Sequence, residues 1–244
     1  MGISIKNAAY GPKVVADGLV LALDAANRKS YPGTGTTWTD LSGNGNTGTL
    51  TNGPTYSSAN GGSIVFDGVD DYTVISNPAT FQNQNFTVSV WVNPGFQDAA
   101  IISMIDFDHS SSPAPQGWVL QSEDATTNRY YYLAWYDGTN FQPAGGYGAG
   151  NGIQVTTSSW QNIVYSKSGT TLIGYLNGVQ VYTAVAGSSN VSYQSNRNFR
   201  IGNCIGSAGR EFNGNISNAR IYNRALTAQE IQQNFNATRG RYGI

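Results

Sequence analysis

Asn-Gly and Asp-Gly pairs recur along this chain between short runs in which apolar and polar residues alternate. They include Asn52-Gly53, Asn60-Gly61, Asp67-Gly68, Asp137-Gly138, Asn151-Gly152, Asn177-Gly178 and Asn213-Gly214. Such pairs accept the positive φ angles of tight hairpin turns. In TLIGYLNGVQVYTAV (171–185), a two-residue turn at Asn177-Gly178 sets Leu176 against Val179 and Gly174 against Val181. Leu172, Leu176, Val179 and Val181 then share one face, and Ile173, Tyr175, Gln180 and Tyr182 the other. In FTVSVWV (86–92), Phe86, Val88, Val90 and Val92 point one way and Thr87, Ser89 and Trp91 the other. LVLAL (19–23) is apolar on both faces and reads as a central strand. The same reasoning yields about a dozen strands.

One helix is signalled. Thr227 and Glu230 form a capping box, Leu226 and Ile231 a hydrophobic staple, and Ile231 and Phe235 an apolar stripe, which predicts a helix over 228–236. The expected fold is all-β: a two-sheet antiparallel β-sandwich with one short C-terminal helix. Nothing splits the 244 residues into two cores. Periodicity weakens at both ends, which divides the chain into an N-terminal arm (1–17), the sandwich domain (18–236) and a C-terminal tail (237–244). These ends are either frayed termini or arms that order against another subunit, and in the expected homo-oligomer Tyr10, Val14, Val15, Tyr242 and Ile244 would give such arms apolar surface to bury.

Composition narrows the partners. Only 11% of residues are charged and the net charge is −1, so no basic field attracts nucleic acid. The surface must rest on amides and hydroxyls, which suit contact with protein or with sugars. Cys204 is the only cysteine, so no intrachain disulfide forms, and its apolar neighbours mark it as a small buried hydrophobe. No apolar run approaches the ~20 residues of a membrane-spanning helix, so membrane insertion is not expected. The opening MGISIKNAAYGPKVV lacks the apolar core of a signal peptide, so synthesis in a cytoplasm without standard export is expected.

Five blocks occur in a fixed order: SIVFDGVDDYTVIS (63–76), NFTVSVWVNP (85–94), SSWQNIVYSKSGTTLIGYLNGVQV (158–181), FRIGN (199–203) and FNGNISNARIYNRALTAQEI (212–231). This set resembles the laminin-G-like jelly-roll domain of the concanavalin A-like lectin/glucanase superfamily, over most of 18–236. The segments 18–50 and 236–244 also resemble such domains in virion proteins of tailed bacteriophages. The resemblance implies two stacked, curved antiparallel sheets and a rim of loops where calcium and carbohydrate can sit. It implies a binding module more readily than an enzyme. The phage likeness implies a capsid decoration, cement or fibre component located in the virion. Its partners would be the major capsid protein or fibre subunits, and a cell-surface glycan.

Three candidate sites follow. Asp67, Asp70 and Asp71 lie within five positions of a chain that has 14 acidic residues. They either hold a metal such as calcium or shape a turn between two strands, with Asp67-Gly68 opening it and Asp70 or Asp71 accepting turn amides. No calcium-loop spacing is present, and many relatives carry an acidic residue where this chain reads Ser217-Asn218, so the turn is the preferred reading and no cofactor is required. In RYYYLAWYDG (129–138), Tyr130, Tyr132 and Tyr136 share a face that could stack on a pyranose, with Asn140 and Gln142 near to bind hydroxyls; cross-strand packing is the alternative. Glycosidase chemistry needs two facing carboxylates. Glu123, Glu211 and Glu230 lie outside the Glu-x-Asp-x-x-Glu frame of glucanases with this fold, and Asp106 and Asp108 read as a polar strand end. His109 is the only histidine, which is too few nitrogen ligands for a zinc centre. No catalytic residue is assigned, and no enzymatic activity is expected.

Overall fold

A computed structural model describes residues 12–76, 78–95, 99–105, 116–125, 128–143, 152–193, 198–204 and 209–244. Side chains are described for these residues except 78, 123–125, 128 and 129. Tyr10, Asp106, Asp108 and His109 lie outside the described residues, as does the side chain of Glu123.

The strands in chain order are β1 (Leu19–Asp24), β2 (Thr37–Trp38), β3 (Gly48–Thr51), β4 (Thr55–Ser57), β5 (Ser63–Asp67) and β6 (Tyr72–Ile75). They continue with β7 (Phe86–Pro94), β8 (Ala100–Ser103), β9 (Gly117–Ala125), β10 (Asn128–Tyr136), β11 (Phe141–Gln142) and β12 (Ile153–Gln154). The last are β13 (Gln161–Ser168), β14 (Thr171–Leu176), β15 (Val179–Val185), β16 (Phe199–Ile201) and β17 (Asn213–Tyr222), followed by the helix α1 (Ala228–Thr238). All pairings among the described residues are antiparallel. One sheet runs β15-β14-β13-β7-β17-β5-β4, with β1 also on β17. The other runs β11-β10-β9-β8-β16-β6-β3-β2, with β12 also on β10.

The core lies between the two sheets. Phe86, Val88, Val90 and Val92 of β7 enter it, as the alternation predicts, and meet Trp118, Leu120, Leu133 and Trp135 from the opposite sheet. The helix begins with the expected capping box, Thr227 and Glu230 each closing on the other's backbone, and runs two residues beyond the expected end. Arg224 forks onto Glu230 at 2.6 and 2.9 Å and, with the capping bonds, holds that carboxyl down to about 2. Lys167, fully buried at the end of β13, donates to the carbonyls of Gln84, Ser189 and Gly169 at 2.7, 2.8 and 3.1 Å. Its ammonium also lies 4.7 Å from the ring centre of Trp135, and burial pulls its pKa down to about 8.

Three expectations change. First, β1 is not a central strand. Among the described residues its one strand partner is β17, and its other edge is covered by residues 30–46. Asp40 accepts the Ala22 amide at 2.9 Å, Leu41 donates to the Ala22 carbonyl at 2.9 Å, and Asn46 Nδ2 donates to the Val20 carbonyl at 2.7 Å. Two side chains and a loop amide thus take the place of a neighbouring strand, so β1 is buried without being central.

Second, the 171–185 hairpin has a bulge. Asn177 and Gly178 take φ of 51° and 78°, and Leu176 pairs with Val179 as expected. Gly174, however, pairs with Tyr182, because Val181 is the extra residue between the Tyr175–Gln180 and Gly174–Tyr182 pairs. Tyr182 and Ala184 therefore pack on the core, while Val179 and Val181 are exposed.

Third, the chain ends belong to the domain as far as they are described. Val15 is buried against Leu226 and Ile231, its amide donates to Asn234 Oδ1 at 2.8 Å, and its carbonyl accepts from the Tyr222 hydroxyl at 3.1 Å. Tyr242 stacks on Trp91 with ring centres 3.9 Å apart. These two residues are committed within the subunit, whereas Val14 is half-buried and Ile244 exposed.

Trp91 lies on the outer face of β7 and also stacks on Phe235 at 5.7 Å, while its Nε1 donates to Thr238 Oγ1 at 3.0 Å. Trp91→Ala is expected to lower the unfolding free energy by about 3–5 kcal/mol in urea titrations while leaving strand content intact.

Candidate functional site

The Asp67–Asp71 segment joins β5 of one sheet to β6 of the other. Asp67 Oδ1 accepts the Val69 amide at 2.8 Å, and Gly68 takes φ 78°, which closes the turn. Asp71 is buried and its Oδ2 accepts the Asp67 amide at 3.0 Å. Asn213 Nδ2 holds the Asp67 carbonyl at 3.0 Å and Asn52 Nδ2 the Asp70 carbonyl at 2.9 Å. The three carboxylates nevertheless converge, with one oxygen of each within 4.8 Å of the others. Burial, then the neighbouring Asp67 and Asp70, raises the Asp71 carboxyl above the ordinary range, although the Asp67 amide opposes this.

Calcium takes six to eight oxygens. Ser217 and Asn218 lie toward the other end of β5, since Asn213 is the residue that pairs with Asp67, and they are committed there: Ser217 Oγ donates to the Gly62 carbonyl at 2.7 Å and Asn218 Nδ2 donates to the Tyr242 hydroxyl at 3.3 Å. What the geometry accounts for directly is a turn.

The tyrosine strand β10 separates as the alternation predicts. Tyr131, Leu133 and Trp135 enter the core, and Tyr130, Tyr132 and Tyr136 face the other way. The latter three do not form one platform. Tyr130 and Tyr136 stand six residues apart, about 20 Å along an extended strand. Tyr132 is 3% exposed, packed with Ile105, Val119 and Cys204, and its hydroxyl meets Gln121 Nε2. Gln142 is also buried; its Nε2 donates to Asp137 Oδ2 at 2.9 Å and its Oε1 accepts the Gly187 amide at 2.9 Å. The Asn140 and Thr139 amides donate to Asp137 Oδ1 and, with Gln142, hold that carboxyl below its ordinary value. The Tyr136 hydroxyl donates to the Thr139 carbonyl at 2.9 Å. Of the five sugar candidates, Tyr132 and Gln142 thus serve packing and turn closure. Asn140 is exposed at the hairpin, and Tyr130 faces a groove.

That groove, about 570 Å³, opens where the edges of the two sheets approach. β10 and β12 contribute Tyr130, Gln154, Val155 and Thr156, and the 171–185 hairpin contributes Leu176 and Val181. Tyr130 pairs with Gln154 across the strands. β12 can lie this close to β10 because Gly152, at φ 149°, has no Cβ; one built there would stand 2.3 Å from the Tyr131 carbonyl oxygen. The Tyr165 hydroxyl joins the sheets beneath, donating to the Tyr131 carbonyl at 2.7 Å and accepting the Ile153 amide at 3.1 Å. The groove has an aliphatic wall and a rim of phenol, amide and hydroxyl, matching a sugar ring with one apolar face and equatorial hydroxyls. Gln154, Thr156 and Val181 carry no local sequence signal, because they come together only when β12 and the bulged β15 meet.

The family model for laminin-G-like domains, described as the concanavalin A-like lectin/glucanases superfamily, matches residues 67–232. The chain belongs to this superfamily. No curated protein matches it in sequence. Among solved structures, the binding domain of Paraclostridial Mosquitocidal Protein 1 is similar with a TM-score of 0.64 at 15% identity, over 91% of this chain and 52% of that one. Domain 4 of AbnA, an extracellular arabinanase from Geobacillus stearothermophilus, in complex with arabinotriose, is similar with a TM-score of 0.57 at 18% identity, over 89% and 98%. Trypanosoma rangeli sialidase is similar with a TM-score of 0.59 at 18% identity, over 93% and 34%. The chain spans about half of the first structure and a third of the last. At these identities the likeness is one of fold.

Because the Asp71 pKa is raised, its charged form opposes folding: the contribution is favourable below the unfolded value and is lost as pH rises through the folded one. Asp71→Asn keeps an acceptor for the Asp67 amide and is expected to hold or raise the unfolding midpoint at pH 7, whereas Asp71→Ala leaves that amide unpaired and should cost about 1–3 kcal/mol. Melting midpoints in millimolar calcium and in chelator are expected to coincide. A calcium-dependent rise that Asp71→Asn abolishes would make the turn a cation site.

Proposed function

We propose that this protein is a non-enzymatic carbohydrate-binding module whose ligand seats in the Tyr130 groove. The observation that carries this reading is the groove itself, with an aliphatic wall from one sheet facing Tyr130, Gln154 and Thr156 from the other. None of its described lining residues bears a carboxylate, so the groove offers binding without a general acid or nucleophile. Membership of a lectin-like superfamily supports the class of ligand, and so does the arabinotriose complex of an arabinanase domain with this fold. On a glycan array the protein is expected to bind a restricted set of neutral oligosaccharides. Tyr130→Ala should weaken that binding at least about tenfold, since aromatic stacking and the lost hydroxyl together exceed about 1.4 kcal/mol. Tyr132→Ala would lower stability instead. Binding to no glycan, or full binding by Tyr130→Ala, would overturn the assignment.

We further propose a setting for this module: a decoration, cement or fibre subunit of a bacteriophage virion, repeated on the particle and contacting the major capsid protein or fibre subunits. The support is the likeness of residues 18–50 and 236–244 to virion proteins, together with a surface that carries few charges. With Val15 and Tyr242 committed within the subunit, the contacts would fall to Val14 and Ile244. Mass spectrometry of gradient-purified particles from a phage whose genome encodes this chain should find the protein at a stoichiometry tied to a capsid or fibre symmetry. Its absence from such particles would refute the setting and leave the glycan reading standing.

A further inference from the structure

A second cavity, lined by different residues, lies over the outer face of the sheet that contains β1 and β17. Arg220 of β17 sits there, between Ala22 of β1 and Ser89 of β7. It is only 5% exposed, yet among the described residues its guanidinium has no hydrogen-bond or ion-pair partner. The carboxylate whose field reaches it, Asp24, is already engaged. Arg241 Nη1 donates to both Asp24 oxygens at 2.7 and 2.9 Å, and the Ala26 amide takes a third bond at 3.1 Å. Two guanidiniums therefore share one carboxylate, and the neighbourhood carries excess positive charge. Tyr222 and Tyr242 are the other titratable groups close by, both with pKa values raised by burial, so neither supplies an anion. A buried guanidinium without a partner is costly, and it is retained most economically where something else supplies the acceptor.

The cavity beside Arg220 is about 240 Å³. Val14, Leu19, Ala22, Leu23 and Leu41 wall it, and Asn27 and Asp24 join Arg220 as polar lining residues, with both Asp24 oxygens already held by Arg241. With about 30 Å³ per water, it has room for roughly eight waters or for a short organic acid. The Asn27 side chain accepts from the Lys29 amide at 3.0 Å, which leaves its Nδ2 hydrogens for a ligand. Aliphatic walls disfavour a multiply charged inorganic ion, which would surrender its hydration to a single free guanidinium. They suit a monoanion with an apolar body.

We propose that this cavity binds a small organic monocarboxylate, its carboxylate taken by the Arg220 guanidinium and Asn27 and its aliphatic part lying against Val14, Leu19 and Leu41. Arginine's planar fork matches a carboxylate with two parallel hydrogen bonds. The site is separate from the Tyr130 groove and does not depend on the glycan reading.

The test is a thermal melt of the full chain at constant ionic strength with sodium butyrate as the probe, against butyramide, sodium chloride and sodium phosphate. Butyrate is expected to raise the melting temperature saturably by several degrees, as a ligand of the folded state alone must. Butyramide, chloride and phosphate should not. Arg220→Met should abolish the shift. Should that variant fail to fold, Leu41→Trp, which fills the mouth and leaves Arg220 in place, should abolish it too. No shift with butyrate, an equal shift with chloride, phosphate or butyramide, or a butyrate shift that survives Leu41→Trp would each overturn the proposal.

Discussion

The structure depends on burying one face of each sheet against the other. Neither sheet is stable alone in water, because half its side chains are aliphatic or aromatic and its strands are short. Stacked, they enclose Trp38, Trp118, Trp135 and the valines of β7. Rim turns then only have to carry the chain from one layer to the next. The Asp67–Asp71 turn makes one such passage, from β5 to β6, and its aspartates earn their place first as acceptors for backbone amides.

The outer face of the β17 sheet poses a second problem. It carries Trp91, Val164, Tyr175 and Tyr222, too much apolar surface to leave in water. The described ends of the chain solve it together. Helix α1 lays Ile231 and Phe235 on the sheet, Val15 packs beside the helix, and Tyr242 closes over Trp91. The bonds between these parts are long-range: Asn234 to Val15, Thr238 to Trp91, Arg241 to Asp24. This cover is where Arg220 becomes buried, and Arg220 lacks a hydrogen-bonded carboxylate because Arg241 holds both oxygens of Asp24.

Burial sorted residues that look equivalent in one dimension. Tyr130, Tyr132 and Tyr136 have the same strand phase, yet one lines a groove, one is packed against Cys204, and one braces a hairpin. Phase tells which side of a sheet a residue is on. It does not tell what lies over that side. Likewise Gln142 reads as an exposed amide near aromatics but spends both its polar ends on Asp137 and Gly187.

Alternation, turn pairs and the Thr227–Glu230 box are local, acting between residues a few positions apart, so the amino-acid order alone was enough to determine an antiparallel sandwich, the two faces of β7 and β10, the Asn177-Gly178 turn and the start of the helix. That Asp70 or Asp71 would accept a turn amide was legible for the same reason, whereas the choice of Asp71 was not. The tertiary structure alone decided the edge position of β1, the bulge that turns Val181 outward, the docking of Val15 and Tyr242, the groove beside Tyr130 and the isolation of Arg220. Each of these depends on which distant segments come into contact and which acceptors are already taken when they do, a competition settled in three dimensions.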